Sequence, residues 1–308
     1  MTRRTLLAAG TATTAGLLTR TPAHASDHGG NSKNESESKN KNNGNSDPVT
    51  ARLRALEAQR GARLGVFASN LATGRTVAHR ADERFPVCSL FKTLAAAAVL
   101  RDLDRHGETL ARRVHYTADD LVENSPRTEE HLAEGMTIAE LADAAIRYSD
   151  NTAGNLLLRE LGGPPAITRF ARSLGDPVTR LDRWETELNS AEPWRITDTT
   201  SPRAIGRTYA RLVLGDALNR RDRALLTHWL LNNTTSDNRF RAGLPRTWTI
   251  ADKTGGGFYG TNNDVGIAWT EDGTPLVLAV QTTFADEDAP YDHALIAETA
   301  ALLAAALT

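Results

Sequence analysis

The residues best suited to chemistry begin with Ser89-Leu90-Phe91-Lys92, at the head of an apolar run that continues to Leu100. A run that is apolar on every side predicts a buried helix. Pro86 lies just ahead of it, where helices tend to begin. Ser89 then falls in or beside the first turn, where unpaired backbone N–H groups and the helix dipole favour negative charge. Lys92 lies one turn further along the same face. A buried amine is costly unless it is paired or neutral. One reading is a serine activated by its neighbouring amine. The other is a Ser N-cap with a lysine that snorkels to water, and Ser-x-x-Lys is short enough to arise by chance.

Three further stretches could act on that hydroxyl. Ser149-Asp150-Asn151 lies between two helical patterns; all three types also serve as caps. Lys253-Thr254-Gly255-Gly256-Gly257 follows a strand pattern. Its glycines would let a substrate backbone approach, and Lys253 and Thr254 offer donors to an anion; a glycine-rich strand end or bulge is the alternative. Arg183-Trp184-Glu185-Thr186-Glu187-Leu188-Asn189 lies in an aperiodic stretch over about 180–200. An ordinary surface loop would leave its carboxylates solvated.

Lysine usage adds weight to two positions. The chain has five lysines: Lys33, Lys39 and Lys41 in a polar segment, then only Lys92 and Lys253 among many arginines. Arginine is always charged, whereas a buried lysine can lose its proton. Both remaining lysines sit among apolar residues or glycines, which a surface role does not explain.

The elements that must position these groups follow from periodicity. An amphipathic helix is expected over 49–60, then a strand pair over 63–70 and 76–80 that turns at Ala72-Thr73-Gly74. Thr137-Ile138-Ala139-Glu140 is a capping box opening a helix to about Tyr148. Another helix runs over 152–161 and is closed by Gly162-Gly163. Ser201-Pro202 and Asp222 are expected to open two more. Strands are expected over 248–253, 265–269 and 276–281, and an Ala-rich helix over 291–307. Strands near both ends with helices between predict one sheet built from both termini, with a helical block inserted into it.

The N-terminus carries the marks of export. Arg3-Arg4 precede Leu6-Leu7 and a small-residue segment, and Ala23-His24-Ala25 is a cleavage pattern. Residues 1–25 are expected to be a signal of the twin-arginine type, with an ordinary secretory signal as the alternative. The apolar segment is too short to span a bilayer. Residues 26–48 are polar and lack large apolar side chains, so they predict a disordered spacer. About 260 residues remain, enough for one large core or two subdomains. A formal net charge of −2 gives no reason to expect a nucleic-acid or membrane partner. The single cysteine, Cys88, excludes an internal disulfide. None of the eight histidines shows the paired spacing of a zinc site, so no metal or other cofactor is expected.

Together and in this order, the motifs resemble the class A serine β-lactamases, whose known motif set they are. The resemblance covers 49–308. Val122-Glu123-Asn124-Ser125-Pro126, Gly162-Gly163-Pro164 and Asp198-Thr199-Thr200 are further landmarks. The most discriminating is Trp184-Glu185-Thr186-Glu187-Leu188-Asn189, which resembles the Ω-loop that penicillin-binding proteins lack. The resemblance implies an α+β fold: an antiparallel sheet flanked by helices (about 49–84 plus 232–308), an inserted all-helical subdomain (about 85–231), and the active site between them.

It also implies roles. Ser89 opens the β-lactam ring, assisted by Lys92 or by Glu185 through a water. Ser149 relays a proton to the leaving nitrogen. The N–H groups of Ser89 and Gly256, in the Lys253–Thr254–Gly255–Gly256 run, form the oxyanion hole. Asn151 and Asn124 flank the substrate side chain, and Lys253 and Thr254 hold its carboxylate. Glu185 and Asn189 position the hydrolytic water, and Arg183 pairs with Asp198 to close the loop. The implied protein is secreted and monomeric. It has no stable membrane association and acts on penicillins and some cephalosporins, giving antibiotic resistance.

The chain departs from common family patterns at several places. Where many members carry an arginine after Lys-Thr-Gly, this chain has Asp264, and Arg239 matches the other position some members use. Asn124 stands where several have an aromatic. Gly257 stands where carbapenemases often place a second cysteine, so Cys88 is expected free and carbapenem hydrolysis weak. The alternatives are a D-alanyl-D-alanine carboxypeptidase or related esterase, and a non-enzymatic sensor in which Ser89 acylates once.

Overall fold

The computed structural model describes residues 48–308. The expected export signal and the spacer lie outside the described residues, except for Pro48. That residue opens the first helix, α1 (Pro48–Arg60), which buries Leu53 and Leu56. Strands β1 (Arg63–Asn70) and β2 (Thr76–His79) follow as expected. Asn70 shapes their turn, its Oδ1 accepting from the N–H groups of Ala72 and Thr73 at 2.9 and 3.0 Å.

Three helices surround the Ser89 segment. Cys88–Leu90 forms a 3₁₀ turn, and α2 (Phe91–Ala98) continues it with every residue buried. Pro86 belongs to a two-residue strand, Phe85–Pro86, paired with Thr199–Thr200. Against α2 pack α3 (Ile138–Arg147), α4 (Asn151–Leu161) and α5 (Pro165–Ser173). The capping box of α3 is present, with both Thr137 and Glu140 bonded. Asp150 caps α4, accepting from Ala153 N at 2.8 Å, so the helix starts one residue earlier than expected. Gly162 closes it at φ +85°, a backbone that a side chain would strain.

The next pair is α6 (Pro202–Val213), capped by Ser201 as expected, and α7 (Arg220–Leu231). The start of α7 corrects the sequence expectation: Asn219 is the cap, and its side chain accepts from Asp222 N at 3.0 Å. Both are capping types three residues apart, and the sequence pattern does not choose between them. Strands β3 (Thr249–Gly257), β4 (Thr261–Trp269) and β5 (Pro275–Thr283) complete the sheet before α8 (His293–Leu307). β3 runs longer than expected because its glycines keep pairing with β4, to Gly257 opposite Thr261.

The sheet is antiparallel throughout, in the order β2-β1-β5-β4-β3. Its centre joins the two chain ends, with Arg63 opposite Thr283 and Asn70 opposite Leu276. One face packs Val66 and Leu278 with Leu53, Leu295 and Leu303 of α1 and α8. The other packs Phe67 and Val277 into the core that also holds α2. Gly206 of α6 permits this approach: a Cβ there would lie 3.0 Å from the Phe67 ring. Full burial of each large side chain contributes about 1.5–3 kcal/mol. The wholly buried α2 is thereby a rigid support for Ser89. Among the described residues no helix is long and apolar enough to cross a membrane.

Candidate active site

Ser89 sits where the 3₁₀ turn meets α2, at the edge of the sheet, with Cys88 ahead of it at φ +42°. Lys92 Nζ is within reach of four oxygens. It donates to Ser89 Oγ at 2.9 Å, Ser149 O at 2.8 Å and Asn151 Oδ1 at 2.6 Å, and lies 3.1 Å from Glu185 Oε1. An ammonium has only three protons. A neutral amine has a lone pair that can take one from the Ser89 hydroxyl. Burial pushes the amine below its ordinary value, opposed in part by the Glu185 charge.

Glu185 enters from the aperiodic loop. Ser89 Oγ donates to its Oε1 at 3.4 Å, and Asn189 Nδ2 donates to its Oε2 at 2.5 Å. The backbone of Glu185 is held by Asn155, which accepts from its N–H at 3.0 Å and donates to its carbonyl at 2.9 Å. The Glu185–Thr186 peptide is cis. Arg183 Nε meets Asp198 Oδ2 at 2.6 Å, the pairing expected to close the loop. Glu187, the neighbouring carboxylate, is exposed.

On the opposite side, Ser149 takes a left-handed backbone, φ +58°, and accepts from Lys253 Nζ at 3.0 Å. Lys253 also donates to Thr254 O at 2.8 Å. It is fully buried and pushed well below its ordinary value, by burial first and then by the charges of Lys92 and Arg239. Thr254 Oγ1 and Thr235 Oγ1 are 2.5 Å apart. Arg239 is buried, donates to Thr235 O at 3.1 Å, and leaves its Nε without a partner. Within Ser149-Asp150-Asn151, Asp150 is a buried cap, and Ser149 and Asn151 on either side of it line the cleft. Asn151 Nδ2 donates to Glu123 O at 2.8 Å, and exposed Asn124 donates to Ser149 O at 3.4 Å.

These residues line a cleft of about 910 Å³, shared by Ser89, Ser149, Asn151, Asn189, Thr235, Arg239 and the 254–257 run. Exposed Phe258 and half-exposed Tyr291 stand at its rim. Tyr291 lies over Gly256, where a Cβ would be 3.0 Å from its hydroxyl. The chemistry available is acyl transfer: a hydroxyl between an amine and a carboxylate, a second hydroxyl on a second buried amine, and a cationic end for an anion.

The sequence profile of the β-lactamase enzyme family matches residues 48–307, nearly all of the described chain. The chain belongs to that family. A β-lactamase of Streptomyces fradiae is 66% identical over 264 residues, 84% of this chain and 86% of the relative. One of Streptomyces albus G is 57% identical over 313 residues, 99% of this chain and 97% of the relative. The solved Streptomyces albus G enzyme superposes with a TM-score of 0.84 at 62% identity, over 85% of this chain and 100% of that one. A variant of the last common ancestor of Gram-negative class A β-lactamases gives 0.81 at 52% identity, over 84% and 98%. This β-lactamase is accordingly of class A.

Ser89, Asn124, Ser149, Asn151, Asn189, Arg239 and the 254–256 run line the cleft, and Lys92, Glu185 and Lys253 bond to residues that do. Arg183 and Asp198 lie behind it, in the loop that carries Glu185. Three contributors carried no motif. Thr235 lies in a run of Asn and Thr, Asn155 is a polar residue inside a helical pattern, and Tyr291 is a lone aromatic before α8. A polar residue on an otherwise buried stretch was the one available signal, and it fits Asn155, which is buried on α4.

Proposed function

We propose that Ser89 opens the β-lactam ring and forms an acyl-enzyme that Glu185 then hydrolyses. Ser89 Oγ attacks the ring carbonyl carbon and its proton passes to Lys92, the nearer acceptor at 2.9 Å. The N–H groups of Ser89 and Gly256 receive the developing oxyanion. The C–N bond breaks, and the ring nitrogen takes its proton from Ser149, which recovers one from the Lys92 ammonium and which Lys253 supports. Lys253, Thr254, Thr235 and Arg239 bind the substrate carboxylate. Asn151 and Asn124 meet the substrate side chain. A water held by Glu185 and Asn189 loses a proton to Glu185 and attacks the ester, and Glu185 passes that proton to Ser89 as the ester bond breaks.

The observation that carries this reading is the Glu185 carboxylate, fixed by Asn189 at 2.5 Å and set 3.4 Å from Ser89 Oγ. A carboxypeptidase or an acylated sensor needs no such base beside its ester. Penicillins and some cephalosporins are the proposed substrates. Carbapenems are poor ones, because Gly257 leaves Cys88 a buried free thiol. The test is steady-state hydrolysis of nitrocefin and benzylpenicillin by wild type and Ser89→Ala. Sustained turnover that vanishes in the variant supports the reading. One equivalent of product followed by a stall supports the sensor.

The remaining proposals concern the whole chain. Residues 1–25 direct export, 26–48 tether, and 49–308 form one monomeric enzyme with α/β (49–84, 232–308) and helical (85–231) parts. N-terminal sequencing of secreted protein, expected to begin at Ser26, and light scattering at monomer mass test them.

A further inference from the structure

Behind the Lys253 strand lie two buried carboxyls that the reaction above does not use. Asp252 precedes Lys253 on β3, and Asp264 stands on β4 across from Thr254. Both are fully buried, and the register sets them as diagonal neighbours on one face of the strand pair, Asp252 opposite Gly266 and Asp264 two residues before that glycine. Ionised carboxylates only accept, so a bond between two of them needs a proton.

The partners of each oxygen show where that proton sits. Asp252 Oδ1 accepts from Arg241 Nη2 at 2.9 Å, and Oδ2 accepts from Asn233 Nδ2 at 3.2 Å. Asp264 Oδ2 accepts from Ser236 Oγ at 2.9 Å and from Phe240 N at 3.1 Å. Asp264 Oδ1 is buried and finds no donor. A buried oxygen without a partner is costly. A hydroxyl at that oxygen, turned to Asp252, removes the deficit.

We infer that Asp264 is held as a carboxylic acid, donating from Oδ1 to ionised Asp252, and that this keeps the carboxylate-binding end of the site cationic. The pair then carries one negative charge, and Arg241 faces it. Arg239 has no ion-pair partner among the described residues, and Lys253 bonds only to neutral oxygens. Both cations remain available to a substrate carboxylate. Two ionised carboxyls would instead compete with the substrate for Arg239. Asp264 is therefore a positioning residue, acting through Arg239 and Lys253. This rests on the carboxylate-binding role proposed above.

The surroundings agree with the assignment. The charged or titratable groups facing the pair are Arg239 at the start of the short helix Phe240–Gly243, Arg241 within it, Lys253 on β3, and Tyr209 on α6. Burial, and then the Asp252 charge, push the Asp264 carboxyl well above the usual range. Burial also raises Asp252, and Arg241 opposes it.

The test is infrared spectroscopy of the resting protein at neutral pH, in water and in heavy water. Wild type should show a carboxylic-acid C=O band that shifts in heavy water and is absent from Asp264→Asn. Lack of that band in folded wild type overturns the inference, as does its persistence in Asp264→Asn. If the variant does not fold, the wild-type band alone decides, since it should vanish on unfolding. The kinetic readout is a KM–kcat split. Asp264→Ala should raise KM for benzylpenicillin about tenfold with a smaller change in kcat, and Asp264→Asn should recover most of the loss. Equal losses in both variants overturn the neutral-acid assignment. The spectrum is taken without substrate, so its outcome is independent of whether the proposed reaction is correct.

Discussion

Lys92 Nζ stands 3.1 Å from Glu185 Oε1, and both side chains are fully shielded from water. Two charges in such a place attract strongly, but each has lost its hydration. A proton that moves between them, or from Ser89, changes charge where no solvent reorganises. The proposed reaction thus depends on an amine that can release its proton. Arginine in its place keeps the charge and cannot accept one. Lys92→Arg is expected to slow acylation by about 100-fold or more, the usual worth of a positioned base. Stopped-flow acylation by nitrocefin checks this, and an unchanged rate contradicts the role.

Lys253 links the same burial to stability. Its folded value is pushed well below the ordinary one. Between those two values the unfolded chain holds a proton that the folded chain has released. Unfolding then takes up protons, so stability rises with pH across that window. One such group contributes a slope of up to about 1.4 kcal/mol per pH unit. Lys253→Met lacks the group and should lack the slope. Urea unfolding of both proteins across the alkaline range just below the ordinary lysine value of about 10.4 should therefore move the difference in the wild type's favour as pH rises. A difference that moves the other way contradicts the assignment.

Arg239 is expected to act on substrate capture. It is a buried guanidinium with one hydrogen bond and a free Nε, beside the Thr235–Thr254 hydroxyl pair. Arg239→Ala should lower kcat/KM for benzylpenicillin by about 1.5–3 kcal/mol, the worth of a charged hydrogen bond, chiefly through KM. Unchanged kinetics would assign the carboxylate to Lys253 and Thr254 alone.

Gly257 joins the sheet edge to the loop that carries Glu185. A Cβ at this position would lie 2.7 Å from the Asn189 carbonyl oxygen and 3.1 Å from Cys88 Sγ. Backbone cannot yield as a flexible side chain does, so Gly257→Ala must displace Asn189. Since Asn189 holds the Glu185 carboxylate, deacylation should slow about tenfold or more while acylation changes less. Burst kinetics separate the two steps, and equal slowing of both would place the damage elsewhere.

Much of this site was legible because its groups sit at element ends with their own local signals. The capping box at Thr137, the cap at Ser201 and the buried run after Lys92 all formed as expected. The start of α7 was not legible, because Asn219 and Asp222 are both good caps and only the fold decides between them. The length of β3 was hidden by its glycines, which read as a break but pair with β4 through Gly257. Asn155 escaped because its partners are the backbone atoms of Glu185, and Thr235 because it meets the Thr254 hydroxyl only through the fold. Asp264 was legible only as an arginine's absence. Its hydrogen bonds to Ser236 and Phe240, and its place beside Asp252, arise from packing and strand register.

The central claim is that Glu185 hydrolyses the acyl-enzyme, and Glu185→Gln tests it most directly. The amide keeps the shape and loses the basicity. It is set beside Asn189, with its backbone still held by Asn155. After mixing with benzylpenicillin, intact-mass spectrometry of Glu185→Gln should show a persistent penicilloyl adduct on Ser89. Deacylation should be slower by roughly 10²–10⁴-fold, the contribution of a general base. Wild type should show the free enzyme after the same interval. Near-normal turnover by Glu185→Gln, with no adduct trapped, would contradict the account.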